Sequence, residues 1–127
     1  MKDKRIDLGN GLVEHTHYFY NGKSAHYFTI DGVSQGEVSS YYPNGQLYLK
    51  SNFLDGKLHG EFKTYYDNGQ LEIHGNYFNG NREGLWHRYF NNGELIFTSN
   101  FINDKGTILD IDKITALTLM RLIPKNI

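Results

Sequence analysis

Residues 60–83 read GEFKTYYDNGQLEIHGNYFNGNRE, and the same phrase stands one step upstream and one step downstream at a 24-residue interval. Upstream it is GEVSSYYPNGQLYLKSNFLDGKLH (36–59), downstream GLWHRYFNNGELIFTSNFINDKG (84–106), aligned without gaps. A fixed period of this length marks a tandem array in which one small unit is copied and stacked. One turn series is Asn44-Gly45, Asn68-Gly69 and Asn92-Gly93; the other is Asp31-Gly32, Asp55-Gly56 and Asn79-Gly80. Single glycines at Gly36, Gly60 and Gly84 keep the same step. Asn-Gly and Asp-Gly both accept the positive φ angles of two-residue type I′ turns, so each unit predicts two antiparallel strands of a meander.

Parity sharpens this expectation. A two-residue turn at Asn68-Gly69 sets Tyr66 opposite Leu71, Thr64 opposite Ile73 and Phe62 opposite Gly75 on one side of the sheet. The neighbouring copies then set Trp86 opposite Ser99 and Val38 opposite Ser51, a bulky residue against a small one each time. The turn at Asp55-Gly56 sets Leu49 opposite Phe62 on that same side. The apolar face therefore carries Val38, Tyr42, Leu47, Leu49 and Phe53, then Phe62, Tyr66, Leu71, Ile73 and Tyr77. In the third unit it carries Trp86, Phe90, Leu95, Phe97 and Phe101. The other face carries Glu37, Ser39, Tyr41, Tyr48 and Lys50, then Glu61, Lys63, Tyr65, Glu72 and His74. Its third-unit members are Leu85, His87, Tyr89, Ile96 and Thr98.

The ends depart from the pattern. Asn10-Gly11 and Asn21-Gly22 are 11 residues apart, as are Asn68-Gly69 and Asn79-Gly80, so residues 1–35 read as decayed units capping the array. Residues 36–106 hold the three full repeats. From Asp110 to Ile123 the apolar residues Ile111, Ile114, Leu117, Met120 and Leu122 fall near helical spacing, with Pro124 as a stop. Residues 107–127 thus read as an α-helix that caps the last strand or is offered to a partner. The whole is one mainly β domain, an elongated antiparallel β-meander of 24-residue hairpin repeats with a C-terminal helical cap.

Composition narrows the function. Thirteen Lys and Arg against 14 Asp and Glu give a net charge of -1 with no basic run, which argues against nucleic acid and against anionic membrane as principal ligands. With no cysteine there is no disulfide, thiol nucleophile or thiolate metal site. The charged opening MKDKRIDLGNG lacks the apolar stretch of a secretory signal, and the expectation is a cytoplasmic protein. Ten Tyr and eight Phe with 14 Gly suit strands joined by tight turns.

The motif G-x-x-x-x-Y-Y-x-N-G-x-L, followed by F/Y-x-D/N-G-x-x-x-G, resembles the variant MORN repeat (membrane occupation and recognition nexus). Residues GEVSSYYPNGQLYLKSNFLDGKLHGEFKTYYDNGQLEIHGNYFNGNREGLWHRYFNNGELIF carry the likeness, about half the chain, and are most similar to the bacterial YwqK-type antitoxins. That resemblance implies a β array serving as a binding or scaffolding module without a catalytic apparatus.

Candidate chemistry is sparse. Neither Ser-His-Asp order, HExxH nor a phosphate loop occurs, and Glu37 and Glu61 are spaced by the repeat alone. His15 and His17 share a strand side, and His74 is placed diagonal to His87, but a third metal ligand is missing. No cofactor or metal is expected. The stripe Tyr41, Tyr65 and Tyr89 falls on the solvent side, where Tyr suits protein contact. Leu85 replaces Glu37 and Glu61 there, and with His87 and Ile96 it extends the patch. The competing reading packs these rings on each other or beneath the helix. The expected function is protein binding, of antitoxin, immunity or virus-encoded inhibitor type, by steric occlusion. A lipid-associated scaffold and a carbohydrate-binding module are the rivals, and self-association through a sheet edge is compatible with each.

Overall fold

The computed structural model describes residues 2–109. Its strands are β1 (Lys4–Gly9), β2 (Leu12–Tyr18), β3 (Ser24–Ile30), β4 (Val33–Ser34), β5 (Gly36–Tyr41) and β6 (Leu47–Leu54). They continue as β7 (Lys57–Leu58), β8 (Gly60–Tyr65), β9 (Leu71–Phe78), β10 (Asn81–Tyr89), β11 (Leu95–Ile102) and β12 (Lys105–Leu109). All lie in one antiparallel sheet ordered as the chain runs, with the short β4 and β7 paired to β3 and β6 off the main path. The expected β-meander is what forms.

The two turn series differ in kind. Asp31, Asp55 and Asn79 have φ of 49°, 50° and 48°, each followed by a glycine at positive φ, as a type I′ turn requires. In the other series only the glycine is left-handed: Gly45, Gly69 and Gly93 have φ of 86°, 88° and 92°. There the Tyr66 N–H donates to the Gln70 carbonyl at 2.8 Å and Gly69 N–H to the Tyr66 carbonyl at 2.9 Å, closing a three-residue loop. The asparagine serves through its side chain: Asn44, Asn68 and Asn92 Oδ1 each accept the N–H two residues on at 3.0 Å. The expected two-residue loop is therefore wrong for this series, and Leu71 sits opposite Tyr65, not Tyr66.

A bulge repairs the register at once. Between Thr64 and Tyr65 the pairing slips by one, leaving Glu72 unpaired, and beyond it Thr64 faces Ile73 and Phe62 faces Gly75 as expected. Tyr48 and Ile96 occupy the same position in the flanking units. Two bulged residues oppose one on the partner strand, so these three side chains turn to the face expected to be apolar. The Tyr42 and Tyr48 rings meet at 5.0 Å, and Thr64 Oγ1 donates to Glu72 Oε1 at 3.1 Å. Conversely Leu47, Leu71 and Leu95 leave that face.

A second irregularity explains the lone glycines. Leu49 pairs with Thr64 where the turn alone would give Phe62, a slip of two residues at Gly60, whose φ is 91°. Between β9 and β10 the pairing likewise jumps from Glu83↔Asn76 to His87↔His74 past Gly84. A slip of two keeps every side chain on its face, because strand periodicity is two.

The N-terminal hairpin lacks the single-residue bulge. From Leu12↔Ile30 to Tyr18↔Ser24 the register never breaks. The interval from Asn21 to Asp31 is accordingly ten residues, against 11 from Asn44 to Asp55. Asn10-Gly11 is a left-handed pair (φ 54° and 81°), so its spacing to Asn21 joins the two turn types in the opposite order to Asn68 and Asn79. At the other end Asn103 and Asp104 (φ 50° and 66°) make a further turn of that left-handed kind without glycine, leading into β12. Residues 107–109 of the segment read as a cap thus belong to a strand, and the helix expected over 110–123 lies outside the described residues.

The core is one thin layer. Trp86 (8% exposed) and Val13 (7%) are the buried apolar residues among those described; Ser40, Ser51, Thr64 and Ser99 are buried on the same face, and Thr98 on the face of His87. The Trp86 ring lies 5.0 Å from Tyr77, 5.5 Å from Phe62 and 5.9 Å from Phe101. Phe90 and Leu95, expected to be covered, are exposed. Successive units are tied at the loops: Tyr42 Oη donates to the Tyr65 carbonyl and Tyr66 Oη to the Tyr89 carbonyl, both at 2.6 Å. Phe90 has no hydroxyl to continue that ladder. Tyr66→Phe is expected to cost about 1 kcal/mol, seen as a lower thermal midpoint, while leaving the ring's packing intact.

Candidate functional site

Tyr41, Tyr65 and Tyr89 close strands β5, β8 and β10, each directly opposite a leucine: Leu47, Leu71 and Leu95. Directly opposed residues share a face. What reads in the sequence as a tyrosine stripe is therefore a ladder of three Tyr–Leu pairs at one end of the sheet. Tyr41 is 37% exposed and Leu95 40%, with Leu47, Tyr65, Leu71 and Tyr89 half-buried between them. Parity from a two-residue loop places these leucines on the opposite face, and the three-residue loop brings them to this one. The aromatic pair before Asn-Gly does not mark the longer loop, since Phe19-Tyr20 stands directly before a three-residue loop and Tyr77-Phe78 directly before a two-residue turn. Beside Tyr41 a cavity of about 350 Å³ is lined by Tyr18, Tyr42 and Pro43 among others.

Along β10 the residues Leu85, His87 and Tyr89 alternate onto this same face, with the His87 and Tyr89 rings 6.2 Å apart. Leu85 is exposed and His87 half-buried. Ile96, although exposed, is the bulge residue of β11 and turns to the other face, so it does not extend the patch. His74 lies directly opposite His87, closer than the diagonal placement expected. Glu61 Oε2 is 3.2 Å from His74 Nε2, and this hydrogen bond, with Lys63, holds the Glu61 carboxyl below its ordinary range.

Burial depresses the His87 pKa, and the neighbouring His74 pushes it the same way. Its Nδ1 hydrogen-bonds Thr98 Oγ1 at 2.9 Å. The folded state thus favours the neutral ring, while the unfolded chain takes up a proton near the ordinary histidine value of about 6.5. The His87 contribution to stability is full above that pH and is lost as pH falls from there through the depressed folded value. Denaturation midpoints should fall over that window, and less steeply in His87→Gln.

Each of the six histidines has a local partner. His15 reaches Thr29 Oγ1, His17 Asp3, His26 Glu14, and His59 accepts the Asn79 N–H. Among the described residues no group of three or more His, Cys, Asp or Glu is arranged to hold a metal. The opposite face carries a groove of about 290 Å³ over Phe62, Ile73, Tyr77, Trp86, Phe97 and Phe101, flanked by Arg82 and Arg88. Arg82 is engaged there, its guanidinium 4.4 Å above Phe101 and its Nε donating to Asp104 Oδ1 at 2.7 Å. No helix among the described residues is long and apolar enough to cross a membrane.

Comparison with curated proteins gives no match. Comparison with known families matches residues 34–55, 58–79 and 82–103 to the MORN repeat variant, together more than half of the chain. Each matched stretch of 22 residues ends on the first residue of a left-handed turn (Asp55, Asn79 and Asn103), and the stretches begin 24 residues apart, so the family's unit keeps the period and phase of the structural unit. MORN repeats generally serve as protein- or membrane-binding modules and are generally non-catalytic. With three tandem copies in register, this chain belongs to the MORN repeat variant family.

Proposed function

We propose that the chain is a non-catalytic protein-binding module of antitoxin or immunity type, which acts by covering a surface of its target. The single observation that carries this reading is the Tyr–Leu ladder. Three equivalent positions present an aromatic ring beside an aliphatic side chain, partly exposed at a regular spacing, and a repeat array offers its function on such an extended surface. Tyr brings large contact area with few rotatable bonds, and leucine beside it widens the apolar strip. Leu85 and His87 extend the strip along β10. Near-neutral charge makes packing, not long-range steering, the main source of affinity.

The test is affinity capture from the native host with the wild-type chain and with Tyr41→Ala/Tyr65→Ala/Tyr89→Ala. A specific protein retained by the former and lost by the latter, at unchanged circular dichroism, is the expected result. The same protein captured equally by both would remove the ladder from the proposal. Flotation on anionic vesicles or binding on a glycan array would replace the protein target with a lipid or a sugar.

A further inference from the structure

The outer edge of β1 has no pairing partner among the described residues, and all six residues of the strand are exposed. Ile6 and Leu8 are each 50% exposed on it. An unpaired strand edge is a template for another strand. We propose that β1 is a homodimer interface, at which two copies pair edge to edge and antiparallel about a two-fold axis through Ile6.

The register follows from charge and from symmetry. Antiparallel pairing of two identical edges requires a two-fold axis perpendicular to the sheet, and opposed residues must share a face, so the axis passes through one residue position. An axis at Lys4 or Arg5 sets like cations against each other. An axis at Asp7 opposes two carboxylates. The axis at Ile6 instead sets Ile6 against Ile6 of the partner subunit and Arg5 against Asp7 of the partner subunit, the latter twice. Like charges directly opposed are destabilising, so the charge pattern of KRIDL rejects the axes at Lys4, Arg5 and Asp7, and an axis at Leu8 would need the stretch beyond the irregularity between Asp7 and Gly9.

Local geometry agrees. Asp7 Oδ1 accepts the Gly9 N–H at 2.9 Å, which orients the carboxylate and leaves Oδ2 for a guanidinium. Leu8 would lie against the partner's Lys4, whose methylene stem can cover it. The irregularity between Asp7 and Gly9 ends the usable edge, limiting the contact to Lys4–Leu8. So short a strip gives a weak, reversible dimer. Because the axis is perpendicular to the sheet, the Tyr–Leu ladders of both copies would lie on one continuous face.

Sedimentation velocity on the full chain, from low to high micromolar concentration, should show a monomer–dimer equilibrium. Arg5→Asp and Asp7→Arg should each weaken it at least about tenfold by opposing like charges, and the double exchange Arg5→Asp/Asp7→Arg should restore it. The chain has no cysteine, so Ile6→Cys introduces a single thiol at the axis. Opposed antiparallel residues are about 4.5–5.5 Å apart at Cα, within disulfide range. Ile6→Cys should therefore oxidise to a covalent dimer much faster than Leu8→Cys. A wild-type chain that stays monomeric, single reversals that dimerise like wild type, or a double exchange that fails to recover would each overturn the proposal. Equal cross-linking by the two cysteine variants would overturn it as well, since the contact would then lack this axis.

Discussion

Trp86→Ala is expected to produce the largest loss of stability of any single truncation in the sheet, roughly 3 kcal/mol, the lower end of the range for buried aromatic residues. The lower end applies because no second layer of the described residues covers this one, so the site can partly collapse. The loss is nonetheless large against the resources of the molecule. Among the described residues the single sheet has no second layer to bury against, and Trp86 and Val13 are the buried apolar side chains there. Trp86 links three aromatic rings drawn from β8, β9 and β11, namely Phe62, Tyr77 and Phe101. Its Nε1 donates to the Asn76 carbonyl at 3.1 Å, so the indole is also fixed in orientation. Urea denaturation should show the midpoint falling sharply, with Val38, the equivalent residue two repeats removed, much less sensitive when cut to alanine. A loss below about 1 kcal/mol for Trp86→Ala would mean that backbone pairing, not this aromatic layer, holds the third unit.

Much of this layer was legible in the sequence. The pairings Phe62↔Gly75, Trp86↔Ser99 and Val38↔Ser51 follow from two-residue turns, and all three form. They form, however, through offsetting departures from that premise. The Asn-Gly loops are one residue longer than assumed, and the bulges at Tyr48, Glu72 and Ile96 return the missing residue a step later. The slips at Gly36, Gly60 and Gly84 are of two residues, invisible to a parity argument. Asn-Gly alone does not separate the turn types, since asparagine accepts a left-handed φ at Asn79 and uses its side-chain oxygen instead at Asn68. The distinction lies in which residues pair across the loop, Tyr66 with Gln70, and the dipeptide alone does not encode it.

The site was readable in part for the same reason. Tyr41, Tyr65 and Tyr89 precede the loops and keep their strand parity, so their common face could be derived. Leu47, Leu71 and Leu95 lie between loop and bulge, the short interval in which the register is off by one, and they exchange faces with Tyr48, Glu72 and Ile96. That exchange takes Ile96 off the face of Tyr41, Tyr65 and Tyr89 and brings the three leucines onto it. The polar residue Glu72 among these bulges is tolerated because Thr64 Oγ1 donates to it.

Gly75→Ala should be damaging although the backbone there accepts alanine, and its sign should depend on Trp86. Gly75 has no left-handed φ, so alanine suits its backbone, and in an ordinary strand the change from glycine would stabilise by about 0.5–1 kcal/mol. Here the added Cβ would fall 2.1 Å from Trp86 Cδ2 and 2.2 Å from Cε2, against a rigid bicyclic ring that cannot yield by bending. The indole must swing off the strand, and overpacking of this kind costs roughly 1–3 kcal/mol. Trp86 is the chain's one tryptophan, so its emission should shift to the red as the ring becomes solvated. In a Trp86→Ala background the obstruction is gone, and Gly75→Ala should become neutral or stabilising. The resulting coupling energy, about 2 kcal/mol or more, is the signature of two residues sharing one space. Additive effects of the two substitutions would show that the ring does not lie across Gly75, and with that the bulky-over-small pairing would lose its physical basis.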